Sequence, residues 1–297
     1  MSAGTVTFNN DTDGTASRSF GVLAAPGSIH PVIGFTAILC IAMGAGGSAV
    51  LNQWWKAEID AGMKRTANRP LPAGRMNPDD ARDFGIMLSA ASLIIMGLAV
   101  GWLAAGILAV AIVYYAVIYT MWLKPRTPQN IVIGGAAGAF PPVIGWAAVT
   151  GTTPLDAWIL FAIIFFWTPP HFWALSLVAH KEYEKAGVPM LPVTSGAKST
   201  RLHILVYSIL LAPIGLAPLF TGLGGMIYAV IGGLLTAAFL YFAVKVWRST
   251  AGDIDAGDTE RKLAMGMFAF SILYLFGLFA ALIIEHGFGL YFPLGGL

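Results

Sequence analysis

Charge is what this sequence has least of. Only 11% of its 297 residues are Asp, Glu, Lys or Arg, against about a quarter in soluble domains. Such a chain cannot cover a folded surface with polar groups, so a water-soluble domain is excluded. The net charge of +2 is too small to gather a polyanion, and no nucleic acid is expected as a partner. Cysteine is nearly absent too. Cys40 stands alone, which rules out a disulfide within the chain. It lies inside an apolar run and reads as a packed small residue. The first residues lack a basic n-region, so Met1 to Arg18, rich in Ser, Thr, Gly, Asn and Asp, does not read as a signal peptide. Phe20 to Pro26 is apolar but too short to span a bilayer. Residues 1–30 are expected to be a polar tail, disordered or interfacial, ahead of a membrane domain at 31–297.

Apolar length is what the chain has in quantity. Hydrophobic residues make up 57% of it. Runs close to the ~20 residues that cross a bilayer lie at 31–51, 84–101, 105–123, 130–149, 155–178, 203–220, 225–246 and 263–285. The expected fold is all-α, a polytopic membrane bundle of about eight transmembrane helices. Tight turns are needed near Gly101 to Gly106 and at Thr221 to Gly225. Every Lys and Arg except Arg18 falls in alternate loops, at 56–82, 124–126, 181–201 and 245–262. The positive-inside rule assigns that face to the cytoplasm. Gly97 with Gly101, and Gly134 with Gly138, are small-residue pairs of the kind that let helices approach closely.

The chemistry gathers in those basic loops. Asn52, Lys56 and Asp60 recur every four residues and share one helical face where an apolar run ends. Unneeded polar groups are costly at that depth, which points to a site. Arg65 and Arg69 are again four apart, and two such guanidiniums can clamp phosphate oxygens. Glu58 and Asp60 are hard oxygen ligands of the type that holds Mg²⁺ through one or two carboxylates. Lys124 and Arg126 add positive charge, and Asn130 opens a helix whose N-terminus favours anions. His171 lies inside a span beside Pro169 and Pro170, among Trp and Phe rings. It is a candidate ligand or proton carrier. Glu182 begins the next basic loop and can add a carboxylate. The acidic run Asp253, Asp255, Asp258 and Glu260 lacks the spacing of a Ca²⁺ loop and reads as a solvated connector.

Four motifs carry a family likeness: Arg65-Thr66 with Asn68-Arg69-Pro70-Leu71-Pro72; Leu123-Lys124 with Arg126-Thr127-Pro128-Gln129-Asn130; Pro141-Pro142 with Gly145-Trp146; and Thr168-Pro169-Pro170-His171-Phe172-Trp173. From about Ile29 to its end the chain resembles the haem O synthase (protohaem IX farnesyltransferase) branch of the UbiA-type membrane prenyltransferases. The resemblance implies helices around a central cavity, nine by the family norm, with the first missing here and Phe20 to Pro26 as its remnant. It implies a Mg²⁺-dependent transferase of a bacterial inner (cytoplasmic) membrane, its substrates farnesyl diphosphate and haem B. A haem A synthase or terminal oxidase is implied as an assembly partner. By the same resemblance Asn52, Asp60, Arg65, Arg69, His171, Glu182 and Tyr183 are catalytic. Lys56, Arg65, Arg69, Lys124, Arg126 and Asn130 face diphosphate, His171 and Trp173 face haem, and Glu58, Asp60 and Glu182 hold the metal. Two positions depart from the family pattern, Lys56 and Lys181, each where an acid is usual. Lys56 is one turn from Asp60 and can pair with it. Two other readings remain open: prenyl transfer to a quinone-type aromatic acceptor, against which His171 argues, and a non-catalytic haem- or lipid-binding paralogue.

Overall fold

A computed structural model describes residue 25 and residues 29–62, 66–123, 126–127, 129–185 and 190–294, the side chains of residues 59, 180–183 and 185 excepted. Most of the expected tail, and both Arg65 and Lys124, lie outside the described residues. Eight helices are long and apolar enough to cross a bilayer, and the chain is an integral membrane protein. They are α1 (Pro31–Trp55), α2 (Pro78–Ala99), α3 (Trp102–Leu123), α4 (Asn130–Thr150), α5 (Leu155–Lys185), α6 (Leu191–Leu216), α7 (Met226–Arg248) and α8 (Asp258–Gly287). All eight expected spans are present. Several run further into the polar loops than hydropathy suggests, because a helix does not stop where the lipid does.

Local sequence sets the ends. Pro31 opens α1, with His30 Nδ1 accepting from the Val32 amide at 3.3 Å. Asn77 caps α2 through the Asp79 amide at 3.0 Å, with Pro78 at the first position and Asp79 and Asp80 in the first turn. The turn expected near Gly101 to Gly106 is only Val100 and Gly101. Within α3 the helix widens into a π-helix over Tyr114–Leu123, with Thr120 Oγ1 donating to the Tyr115 carbonyl at 2.7 Å. The α5 helix runs unbroken through Pro169 and Pro170. In α6 the chain kinks at Gly196 (φ 80°, ψ 163°), a conformation that essentially only glycine adopts.

Neighbours in sequence pack in space from α1 round to α8, and α8 returns onto α5. There are two apolar cores. One joins α1 to α4 through Ala37, Cys40, Met96, Leu108 and Ile144. The larger joins α4 to α8 through Leu160, Trp173, Ile204, Phe239 and Tyr274. Cys40 is buried in the first, as a packed residue. Where α1 meets α2, a Cβ on Gly47 would fall 2.9 Å from the Gly85 carbonyl, so the backbones can approach only without one. Gly134 leaves room for the Tyr119 ring, whereas Gly138 faces open space.

The arc does not close by packing α1 onto α8. A cavity of about 460 Å³ lies between them, with α4 and α5 behind it. Its walls are apolar and include Ile41, Pro141, Ile164, Trp167, Leu275 and Phe276.

At the end opposite the basic loops, α8 is fastened to the α6–α7 connection. Glu285 is fully buried. Its Oε2 accepts from the Gly225 amide at 2.7 Å and its Oε1 from the Tyr228 amide at 2.9 Å. His286 bonds the Leu223 carbonyl at 2.7 Å, and the Tyr291 hydroxyl donates to the Gly222 carbonyl at 2.7 Å.

Candidate functional site

The first motif straddles the end of α1. Asn52 lies on α1, but the helix breaks at Lys56 (φ −113°, ψ 14°) and restarts as a single turn, Ala57–Ala61. The single continuous face expected for Asn52, Lys56 and Asp60 is therefore interrupted. The break falls where the chain leaves the apolar layer, and there water can satisfy carbonyls that lipid cannot. One bond bridges it, from the Asp60 amide to the Lys56 carbonyl at 2.8 Å.

Asp60 is buried, and its partner is Arg69. Nη1 lies 2.7 Å from Oδ2, while the arginine side chain remains 42% exposed. Residues 66–75 hold that arginine in place. Thr66 Oγ1 donates to the Asp60 carbonyl at 2.8 Å, the Arg69 amide to the Thr66 carbonyl at 3.0 Å, and Ala73 closes the next turn onto Arg69 at 3.0 Å. Arg75 bonds the Asn68 carbonyl. The sequence offered Lys56 as a partner for Asp60; the structure shows Arg69 in an ion pair with it. Glu58 points outward and is exposed.

Asn52 turns to α3. Its Nδ2 donates to the Tyr115 hydroxyl at 2.7 Å, while its Oδ1 is buried with no hydrogen-bond partner among the described residues. The adjacent Tyr114 hydroxyl donates to the Ile133 carbonyl of α4 at 2.8 Å. So the π-helical segment sends neighbouring tyrosines to both α1 and α4, and widened turns of this kind recur at functional sites. Asn130, at the first turn of α4, is 2% exposed and its Nδ2 is buried without a partner among the described residues. An orphan acceptor on α1 and an orphan donor on α4 therefore stand at the same end of the bundle. Buried polar atoms normally have partners, and each exception asks for a ligand or a water. Arg126 is exposed, with Nη1 3.4 Å from the Trp122 carbonyl. Glu182 and Tyr183 lie on the last turns of α5, and their side chains are outside the described residues.

His171 lies deeper. Its ring is sandwiched between Trp167 (centroids 4.3 Å apart) and Phe268 (4.5 Å), with Phe172 edge-on at 5.1 Å. Nδ1 is 2.6 Å from Ser271 Oγ on α8, and Trp167 Nε1 donates to the Ser271 carbonyl at 2.7 Å. Trp167 also lines the apolar cavity, so the histidine stands beside it. Trp173, two residues on, faces the other way. It has no exposed surface and packs on His203 and Tyr207 of α6, and its Nε1 is buried with no hydrogen-bond partner among the described residues. Sequence reasoning missed Tyr115 and Ser271. The signal for Ser271 was present, as the one serine or threonine within the apolar run 263–285.

Among the described residues no three His, Cys, Asp or Glu side chains converge as a metal site. The oxygen donors nonetheless suit a hard cation. Among the described residues Asn52 Oδ1 has no hydrogen-bond partner and Asp60 pairs with an exchangeable arginine, while Glu182 is carried on the last turns of α5.

Residues 16–272 match the model of the UbiA prenyltransferase family. Similar curated proteins include the protoheme IX farnesyltransferase of Erythrobacter litoralis, 66% identical, with 90% of this chain and 85% of that protein covered. That of Hyphomonas neptunium is 59% identical, with 93% and 88% covered. Among solved structures, a digeranylgeranylglyceryl phosphate synthase superposes with a TM-score of 0.74 at 18% identity, covering 89% of this chain and 90% of that one. An Archaeoglobus fulgidus UbiA homologue bound to GPP and Mg²⁺ gives 0.61 at 16% identity, covering 89% and 93%. These two share the fold.

Proposed function

This chain belongs to the UbiA prenyltransferase family, and from that premise we propose that it transfers the farnesyl group of farnesyl diphosphate to a vinyl group of haem B, giving haem O. The named relatives carry the choice of substrates, since they match this chain along nearly its whole length. The observation that carries the placement of the reaction is the pair of orphan atoms, Asn52 Oδ1 and Asn130 Nδ2, at the polar end of the bundle.

In this reaction the C1–O bond of farnesyl diphosphate breaks and both electrons leave with the diphosphate. The vinyl π pair forms the new bond to C1. Water adds a hydroxyl at the other vinyl carbon and loses a proton. Charge grows on the leaving group, and fixed cations and donors lower that barrier. Arg69 is the arginine best placed to do so, because it is half-exposed and its present partner is a side chain it can leave. Asn130 Nδ2 offers a donor that has no partner among the described residues. Arg65, Lys124, Arg126 and Lys56 supply further positive charge. Mg²⁺, when bound, neutralises diphosphate oxygens as a Lewis acid. Asn52 Oδ1, Asp60 and Glu182 would hold it.

The apolar cavity suits the hydrocarbon tail, and its Trp and Phe edges keep water from an allylic cation and stabilise it. His171 lies eleven residues before Glu182, roughly 16 Å along the helix axis. That is too far to touch the leaving group, so the histidine acts on the acceptor. Its Nδ1 is held by Ser271, leaving Nε2 for haem. The basic loops face the cytoplasm, and the membrane is the bacterial inner membrane.

The test is product formation by the purified protein in bilayers with haem B, farnesyl diphosphate and Mg²⁺. Haem O is expected, identified by mass, with little formed in excess chelator. A prenylated aromatic product without haem O would overturn the proposal.

A further inference from the structure

A second polar feature lies outside the arc that holds the cavity. On the outer wall between α6 and α7, at the end of the basic loops, is a groove of about 660 Å³. Ser195, Lys198 and Ser199 line it from the start of α6, Trp247 and Arg248 line it from the end of α7, and Arg201 also borders it. It shares no residue with the apolar cavity.

Its positive charges are not equivalent. Arg201 is 6% exposed and already committed. Nη1 donates to the Ala251 carbonyl at 2.7 Å, and the guanidinium pairs with Asp253 at 3.1 Å. That pair ties α6 to the α7–α8 connector and neutralises both members. Asp253, read as part of a solvated connector, keeps a 41% exposed side chain while it pairs with the buried Arg201. Lys198 and Arg248 are exposed, and neither has an ion pair or hydrogen bond among the described residues. Nearby Lys245 is occupied differently, over the Tyr241 ring at 4.7 Å from its centroid. The groove therefore presents two cations without an ion pair or hydrogen bond among the described residues, and Ser195 and Ser199 are also on its lining.

Below the cations the surface turns apolar. Leu202 and Val206, one turn apart on α6, are 48% and 43% exposed, and Val244 and Trp247 on α7 are 37% and 44% exposed. Both stripes run from the groove along spanning helices, so they face lipid. Trp247 at the rim has the position that aromatic side chains favour at the membrane–water boundary. A free anion would use the cations and leave the stripes idle. A phospholipid uses both.

We propose that this groove binds an anionic phospholipid, with its phosphate between Lys198 and Arg248 and its acyl chains along the Leu202–Val206 and Val244–Trp247 stripes. Basic pockets between transmembrane helices take such headgroups, and each cation near the surface contributes about a five-fold gain in affinity. The serine hydroxyls donate to headgroup oxygens.

The test uses full-length protein in neutral detergent. Short-chain phosphatidylglycerol, short-chain phosphatidylcholine and glycerol phosphate are titrated separately, and bound lipid is counted by native mass spectrometry. Phosphatidylglycerol is expected to bind at least ten-fold more tightly than phosphatidylcholine, and glycerol phosphate not to compete. The double variant K198Q/R248Q should lose about twenty-fold of that affinity, while K198R/R248K keeps it and so controls for folding. K245Q, with the same charge lost outside the groove, should bind as the parent does. Equal binding of the two lipids, competition by glycerol phosphate, or full binding by K198Q/R248Q would each overturn the assignment. Haem O formation in detergent is expected to be unchanged in K198Q/R248Q, so failure of this proposal and failure of the proposed reaction are distinguishable.

Discussion

Two acids are buried at opposite ends of this membrane bundle, and their surroundings could hardly differ more. Glu285 spends both oxygens on backbone amides at the first turn of α7. There the unpaired amides and the helix dipole welcome a negative group. Asp60 instead holds the tip of a half-exposed arginine, at the end of the bundle where Asn52 and Asn130 each keep a polar atom without a partner. Burial alone would rank the two alike. What separates them is satisfaction: the saturated acid fastens helices, and the acid with a replaceable partner is the one the proposed reaction uses.

The sharpest break in that comparison is Asp60→Ala. Turnover to haem O should fall about a thousand-fold, or ~4 kcal/mol, with haem affinity and thermal stability little changed. Equal loss of haem binding would remove Asp60 from the diphosphate end. Next comes Glu285→Ala, which leaves two helix amides stranded. It should lower stability by about 3 kcal/mol, seen in a denaturation curve in micelles, with turnover of the folded protein within two-fold. A large drop in turnover of the folded fraction would mean that the far end takes part in the chemistry. His171→Ala removes a stacked, hydrogen-bonded ring and should cost about 2 kcal/mol of haem affinity by spectroscopic titration, with KM for farnesyl diphosphate unchanged. Unaltered haem affinity would end its assignment to the acceptor. The smallest effect is the most telling. Asn130→Leu removes an unsatisfied buried donor, so the free protein should be no less stable. KM for farnesyl diphosphate should nonetheless rise about ten-fold, some 1.4 kcal/mol. A plain loss of stability would show that Asn130 already has a structural partner.

The eight spans were legible because each apolar run is nearly the thickness of a bilayer, and nothing else in the chain is. The helix ends were less so. α6 starts at Leu191, well before the apolar run at 203, since hydropathy marks lipid contact rather than hydrogen bonding. At the site, residue types and spacing pointed to Asp60, Arg69 and His171, but not to what holds them. Ser271 is 100 residues from His171 and Tyr115 is 63 from Asn52, and periodicity carries no information across such gaps. The break at Lys56 was hidden for a different reason: four-residue spacing looks the same whether or not the helix between is continuous.

In the proposed reaction, the Asp60–Arg69 contact has a consequence for the end of each cycle. Diphosphate is multiply charged, and an arginine with nowhere else to go would grip it after the reaction and stall the cycle. Here the guanidinium has a carboxylate waiting 2.7 Å away in the resting protein. Letting the spent anion leave restores that contact instead of baring a cation beside the bilayer. In the reaction proposed above, the resting pair would act as a turnstile that resets itself, favouring departure of the by-product as well as admission of the next prenyl donor.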